Sequence, residues 1–159
     1  MPTDDDAESW RLRAQAWEHP NVMIGGSDAG AHLDRMAGAP YTTAWLADCL
    51  RGRQLTSMEN AVRHLTDVPA RLFGFTGRGR IAEGWHADIV VFDPETVGAT
   101  DVELVFDLPG GSKRLWSEAT GISRVLVNGV VSVADGTATG AIAGKVMRAG
   151  IDTETVTAS

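Results

Sequence analysis

The first part of the chain carries apolar side chains at intervals of three or four, the spacing of one helix face. Trp10, Ala14 and Trp17 indicate a helix over residues 8–18, which Pro20 ends because proline restricts the residue before it. The same spacing returns in three further segments, which are residues 41–51, a helix opened by the capping box Thr56-Ser57-Met58-Glu59, and residues 70–73. The sequence therefore predicts four helices within its first 75 residues.

A short apolar run lies between the first two of these helices. Val22-Met23-Ile24 is flanked by polar residues and leads into Gly25-Gly26, which is typical of a short buried strand that runs into a glycine turn. We expect this strand to be buried among neighbouring strands.

The second part of the chain changes to alternating β-branched residues separated by glycine turns. Residues 87–92 and residues 102–106 each predict a strand. Asn128-Gly129 separates residues 124–127 from residues 130–133, and this dipeptide is typical of a two-residue hairpin because both positions tolerate positive φ. Helices followed by many short strands predict an α+β fold.

These patterns divide the chain into four segments. They are a lead-in with its helix (1–18), a strand with helices (19–75), a β-rich part (76–149) and a polar tail that we expect to be flexible (150–159).

Charge and cysteine content narrow the possible partners. Lys and Arg total 14 against 21 for Asp and Glu, a net charge of -7, whereas nucleic acids and anionic membranes attract basic surfaces. We therefore expect no nucleic-acid and no membrane partner. Cys49 is the one cysteine, so neither an internal disulfide nor a cysteine-built metal cage can form. The acidic N-terminus lacks the apolar core of a secretory signal and predicts a cytoplasmic protein.

Candidate site residues follow directly after the predicted strand. A carboxylate just beyond a buried parallel strand is where barrel enzymes place catalytic groups, so Asp28 is the catalytic candidate. Ser27, Gly30 and His32 are candidate substrate contacts beside it. The simpler alternative is that Asp28 caps a loop or the next helix, and the sequence leaves both possibilities open. His64 is expected at the solvent edge of its helix and His86 in a structural turn.

Three segments together resemble the C-terminal end of enzymes of the amidohydrolase superfamily. They are IGGSDAGAH from residue 24, GRIAEGWHADIVVFDPETV from residue 79 and VLVNGVVSVADGTATG from residue 125. The last of them, with the GKVMR that follows, is similar to the tail of N-acyl-D-amino-acid deacylases. The resemblance implies the terminal β/α unit of a metal-dependent hydrolase (β/α)8 barrel, in residues 19–75, followed by part of a small β-sandwich.

The resemblance also implies an activity for the complete enzyme. Such enzymes use zinc to hydrolyse the amide bond of N-acyl-D-amino acids. Asp28 matches the aspartate that contacts the zinc and its water, takes a proton from that water and passes it to the leaving amine. Zinc lowers the pKa of bound water to about 7, which makes a neighbouring carboxylate a suitable proton acceptor.

The family's other metal ligands have no counterpart in this sequence. No His-x-His pair occurs, Lys113 and Lys145 both lie in the β-rich part, and His19 is the one histidine that precedes Asp28. Catalytic zinc generally takes three protein ligands, so Asp28 would be a metal ligand only with ligands from elsewhere. We expect this chain alone to bind no zinc and to be inactive, with the missing barrel portion, or a second copy, as its partner.

Two other functions stay open at this point. The chain could be a non-catalytic β-rich module that self-associates or binds a partner, because a lone strand at residues 22–24 would leave two unpaired edges. It could also belong to an amidohydrolase that acts on a cyclic amide, since the loops that select the substrate lie mostly on the absent part of the barrel.

Overall fold

The computed structural model describes residues 6–157. Most of the predicted acidic lead-in, residues 1–5, and residues 158–159 of the predicted tail lie outside the described residues. The described part combines helices and strands, so the predicted α+β content is confirmed.

Four helices lie close to the positions that the apolar spacing predicts, although the last begins at Asp67 rather than at residue 70. They are α1 (Ala7–Trp17), α2 (Tyr41–Leu50), α3 (Met58–Leu65) and α4 (Asp67–Leu72). The Asp6 carboxylate caps α1 by accepting a hydrogen bond from the backbone N–H of Ser9 at 2.9 Å. None of these helices combines the length and the apolar character needed to cross a lipid bilayer.

The N-cap of α3 lies one residue later than the sequence predicts, and no capping box forms, because the third residue after Ser57 is Asn60. Ser57, rather than Thr56, is the N-cap, and its hydroxyl accepts a hydrogen bond from the backbone N–H of Asn60 at 3.3 Å. Ser57 has the extended backbone that an N-cap residue needs (φ -71°, ψ 161°), which places its oxygen over the free N–H groups of the first turn.

The strands are short and all pair antiparallel. They are β1 (Ile89–Phe92), β2 (Gly98–Ala99), β3 (Glu103–Leu108), β4 (Ser112–Trp116), β5 (Ala119–Thr120), β6 (Ile122–Val127), β7 (Val130–Ala134) and β8 (Thr137–Ala138). Four of them form one sheet in the order β1-β6-β7-β8, while β2 pairs with β5 and β3 pairs with β4. The predicted hairpin is confirmed, with Asn128 at φ 50° and Gly129 at φ 80° between β6 and β7.

The predicted strand at Val22–Ile24 is wrong for the described structure. These residues are half-buried, but no strand forms there. A strand exists only where neighbouring strands accept and donate its backbone hydrogen bonds, and no described segment lies beside this one as such a neighbour.

Two residues of the tail that composition predicts to be flexible pair with the segment that follows α4. Thr153 forms an isolated antiparallel bridge with Phe75, and the backbone N–H of Glu154 donates to the carbonyl of Gly74 at 2.8 Å. These bonds join the tail to the end of α4, a contact between segments nearly eighty positions apart that local composition does not encode.

A small core lies where helices α2 and α3 meet the sheets. Leu46, Cys49, Ala61 and Val97 are its buried members, and Val97 is fully buried. The indole N–H of Trp45 donates to the carbonyl of Ala61 at 3.2 Å and so ties α2 to α3.

Candidate functional site

The loop that carries the predicted site residues is built from local turns. The carbonyl of Asp28 accepts a hydrogen bond from the backbone N–H of Ala31 at 3.0 Å, and the Ser27 hydroxyl accepts from the N–H of Ala29 at 3.2 Å. Gly30, which precedes Ala31, has φ 97°, a backbone conformation that favours glycine. The turn is thus closed by backbone groups and the Ser27 hydroxyl, without the Asp28 carboxylate.

One backbone bond anchors this loop to the β-rich part. The carbonyl of Leu33 accepts from the N–H of Leu115 on β4 at 2.8 Å. His32 has φ 53°, and its carbonyl accepts hydrogen bonds from the N–H groups of Arg35 and Met36 at 2.9 and 3.0 Å. His32 therefore helps to fold the loop through its backbone, while its imidazole remains exposed.

The structure places all four predicted site residues on one exposed loop. Ser27, Asp28, Gly30 and His32 are each exposed to solvent. Within residues 6–157, the Asp28 carboxylate makes neither a hydrogen bond nor an ion pair. The alternative that Asp28 caps a loop or helix through its side chain therefore has no support in this conformation, and the carboxylate is available for a substrate, a water or a metal.

A complete metal site is not formed by the described residues. Among them, no three His, Cys, Asp or Glu side chains lie together as a metal site requires. Cys49 is buried, and burial, with the nearby charge of Asp48, raises the pKa of its thiol to about 11, so it stays protonated at neutral pH. The residues present therefore do not fit a zinc ion without ligands from elsewhere.

His64 lies in the interior rather than at the solvent edge that the sequence suggests. Its side chain is 3% exposed, and its ring meets that of Trp45 edge-on with centroids 6.5 Å apart. Trp45 in turn contacts Trp17 of α1, with centroids 4.6 Å apart. Burial, and then the charge of Arg63, lowers the pKa of His64 despite the opposing charge of Glu18. The predicted solvent-edge position is wrong because helix periodicity does not reveal which side another element covers.

Sequence reasoning missed an ionic junction between the segment that precedes β1 and the hairpin of β6 and β7. The Asp88 carboxylate accepts from the backbone N–H of Asn128 at 2.9 Å and pairs with Arg78. Partial burial acts to raise the pKa of Asp88, but the hydrogen bonds from Asn128 and Arg78 outweigh it, and the pKa is lowered. The Asn128 amide also donates to the carbonyl of Ala143 at 2.7 Å. The sequence signal that could have indicated this junction is Asp88, a carboxylate directly before an apolar strand.

The chain matches the model of the amidohydrolase family over residues 10–133. It is 36% identical over 115 residues to an N-acyl-D-glutamate deacylase of Alcaligenes xylosoxydans xylosoxydans, and this match covers 71% of this chain and 22% of that protein. It is 35% identical over 128 residues to a D-aminoacylase of the same organism, and this match covers 77% of this chain and 24% of that protein.

Solved structures show the same relationship. The N-acyl-D-glutamate deacylase of Bordetella bronchiseptica, solved with zinc and a phosphonate inhibitor, is 34% identical with a TM-score of 0.53, over 77% of this chain and 25% of that one. A structure of a D-aminoacylase mutant with copper chloride is 35% identical with a TM-score of 0.53, over 67% of this chain and 20% of that one.

The chain thus spans about a quarter of the length of the relatives that it matches, or less. The predicted similarity to D-aminoacylases is confirmed, whereas the roles of Ser27, Asp28, Gly30 and His32 stay predictions. Because the family match extends over most of the sequence, this chain belongs to the amidohydrolase family.

Proposed function

We propose that this chain is the C-terminal portion of a zinc-dependent amidohydrolase that hydrolyses the amide bond of N-acyl-D-amino acids. The observation that carries the proposal is the family match over residues 10–133, with deacylases of D-amino acids among the relatives. In this proposal α2, α3 and α4 belong to the end of a (β/α)8 barrel, and β1 to β8 belong to a small β-sandwich.

Asp28 would act as the proton carrier of the complete site. Its carboxylate is exposed and unpaired within the described residues, so it could accept a hydrogen bond from a water. It would take a proton from the attacking water and deliver it to the amine nitrogen as the carbon–nitrogen bond breaks. The products are a carboxylate and a free D-amino acid. Ser27, Gly30 and His32 would contact the substrate from the same loop.

The complete site would need ligands from another polypeptide segment. The described residues supply no group of three metal-ligating side chains, so Asp28 would be one ligand among several contributed from elsewhere. We therefore propose that this chain by itself is inactive and that zinc belongs to the complete enzyme. Location in the cytoplasm stays a prediction of the sequence.

The exposed surface supports association with such a partner. The chain exposes 10618 Å², whereas a compact monomer of this size exposes roughly 7,700 Å². Obligate complexes bury roughly 2,000–5,000 Å² in total, or roughly 1,000–2,500 Å² on each partner, so the excess on this one chain is large enough for such an interface. Large apolar side chains contribute to this surface, including Phe106 at 67% exposure and Ile142 at 98%. The same observation favours the second candidate, a non-catalytic module that associates with itself.

Complementation would separate these two functions. The chain would be co-expressed with the part of a related D-aminoacylase that precedes the matched region, and hydrolysis of an N-acyl-D-amino acid would be measured. We expect activity from the pair and none from either part alone. Asp28→Asn should abolish it, whereas Asp34→Asn, which changes an exposed carboxylate six residues away, should leave most of it intact.

Zinc analysis provides the second readout. Elemental analysis after dialysis against metal-free buffer should find zinc in the pair and no stoichiometric zinc in the chain alone. Stoichiometric zinc in the chain alone that Asp28→Ala removes, or restored activity that survives Asp28→Asn, would refute the proposal.

A further inference from the structure

An apolar cleft lies between the helical pair α2–α3 and strand β1. Its volume is about 590 Å³, a size typical of small-molecule sites. Its apolar walls include Leu46, Val62, Leu65, Ile89, Val90 and Phe92. No residue of the loop 25–32 is among its lining residues, so the cleft is separate from the candidate site described above.

One cation lines this cleft. Nε of Arg80 donates to Oδ1 of Asp67 at 2.5 Å, and the Arg80 side chain is 53% exposed and so within reach of a ligand. Asp67 is shared with Arg71 at 2.9 Å and Arg63 at 3.8 Å. Partial burial acts to raise the pKa of Asp67, but the hydrogen bond from Arg80 and the three guanidinium charges outweigh it, and the pKa is lowered. Three guanidinium groups therefore surround one carboxylate.

The other ionic group of the cleft is already neutralised. Asp88 also lines it, but its carboxylate pairs with Arg78 and accepts the N–H of Asn128. In a chain with a net charge of -7, this end of the cleft thus carries a local excess of positive charge. An anion would find here a planar guanidinium that is suited to binding carboxylate.

We propose that the cleft binds an amphipathic carboxylate, with its aliphatic chain between α2, α3 and β1 and its carboxylate on Arg80. Apolar walls select the chain, and the excess of arginine selects the negative head group. A neutral lipid or an alkylammonium ion would satisfy the walls but not Arg80. The proposal does not depend on the hydrolytic function, since it concerns a different surface and a binding event without chemistry.

Calorimetric titration of the full chain with hexanoate, heptanoate and octanoate tests the apolar part. Each methylene that enters the cleft should strengthen binding about fourfold. Octanol should bind about tenfold more weakly than octanoate because it lacks the charge that hydrogen-bonds to Arg80. An affinity that does not change with the length of the aliphatic chain, or that is equal for octanol and octanoate, would overturn the proposal.

Two pairs of variants test the position. Val90→Trp fills the cleft from a half-exposed position, whereas Val91→Trp places the same ring at a similarly exposed neighbour that does not line the cleft. Val90→Trp should weaken octanoate binding at least tenfold and Val91→Trp less than twofold. Arg80→Gln should weaken the binding of octanoate at least tenfold and leave the binding of octanol unchanged. Arg71→Gln removes another partner of Asp67 outside the cleft and should change the binding of octanoate less than threefold.

Circular dichroism and sedimentation velocity complete the test. If Val90→Trp does not fold, Arg80→Gln and its Arg71→Gln control decide the question by themselves. If the wild-type chain forms a dimer that Val90→Trp dissociates, a second copy occupies the cleft and the proposal is wrong. Equal loss of binding in both members of either pair would also overturn it.

Discussion

Replacement of Gly121 tests whether the core around Val97 is packed as the structure shows. Gly121 has φ 69°, and a Cβ added there would lie 2.3 Å from the backbone nitrogen of Val97, a residue with no solvent exposure. Gly136 has φ 77° with nothing within 4 Å of an added Cβ. The two glycines share a left-handed backbone and differ in the space around them, so they form a matched pair.

The magnitudes separate the two substitutions. Gly136→Ala should cost only the left-handed conformation of a side-chain-bearing residue, about 1–2 kcal/mol. Gly121→Ala carries the same cost and must also displace the backbone of Val97, which adds about 1–3 kcal/mol as overpacking does elsewhere. Domains are stable by only about 5–15 kcal/mol, so the second variant should lose a large fraction of its stability and still fold.

Urea unfolding followed by tryptophan fluorescence and circular dichroism measures both variants. We expect Gly121→Ala to have a lower free energy of unfolding than Gly136→Ala by at least about 1 kcal/mol, the lower bound of the overpacking cost. In thermal unfolding this difference corresponds to a melting temperature lower by at least roughly 2–4 °C, as expected for a domain of this size. Equal losses in the two variants would show that Gly121 does not approach Val97 as described.

Three further predictions concern buried or partly buried side chains. The pKa of His64 is lowered, so its contribution to the free energy of unfolding is complete above the ordinary pKa of about 6.5 and is lost as pH falls through the lower folded-state pKa. The urea concentration at the midpoint of unfolding should therefore decrease when the pH is lowered from about 7 to about 5, and it should decrease less in His64→Leu. Trp45→Phe removes the hydrogen bond to the carbonyl of Ala61 and should lower the free energy of unfolding by about 1–3 kcal/mol, whereas a change below roughly 0.5 kcal/mol, as surface substitutions give, would contradict it. Cys49 should resist a thiol reagent at pH 8 and react after unfolding, because burial raises its pKa to about 11; rapid labelling of the folded chain would contradict this burial.

At the candidate site, the sequence predicts where Asp28 lies more readily than what its carboxylate does. The sequence located Asp28 by its place after an apolar run and by its resemblance to a family, and the family is confirmed. The structure adds that the turn is closed by backbone groups, which leaves the carboxylate free. The partners that would give Asp28 a catalytic role do not lie among the described residues, so neither the sequence nor the fold assigns that role.

Local signals determined most of the helices and the central hairpin. The spacing of Trp10 and Trp17 gave α1, and Asn128-Gly129 gave the turn between β6 and β7, because each depends on interactions within a few residues. The amidohydrolase resemblance likewise came from short ordered segments that the sequence alone contains.

Only the tertiary structure decided which side chains are buried and which segments pair. The run at Val22–Ile24 has the composition of a strand but no neighbour to complete its ladder, and His64 is interior because Trp45 covers it. The pairing of Arg80 with Asp67 at the cleft joins positions thirteen residues apart across a glycine turn. Such contacts depend on how elements pack against one another, and periodicity within one element carries no information about that packing.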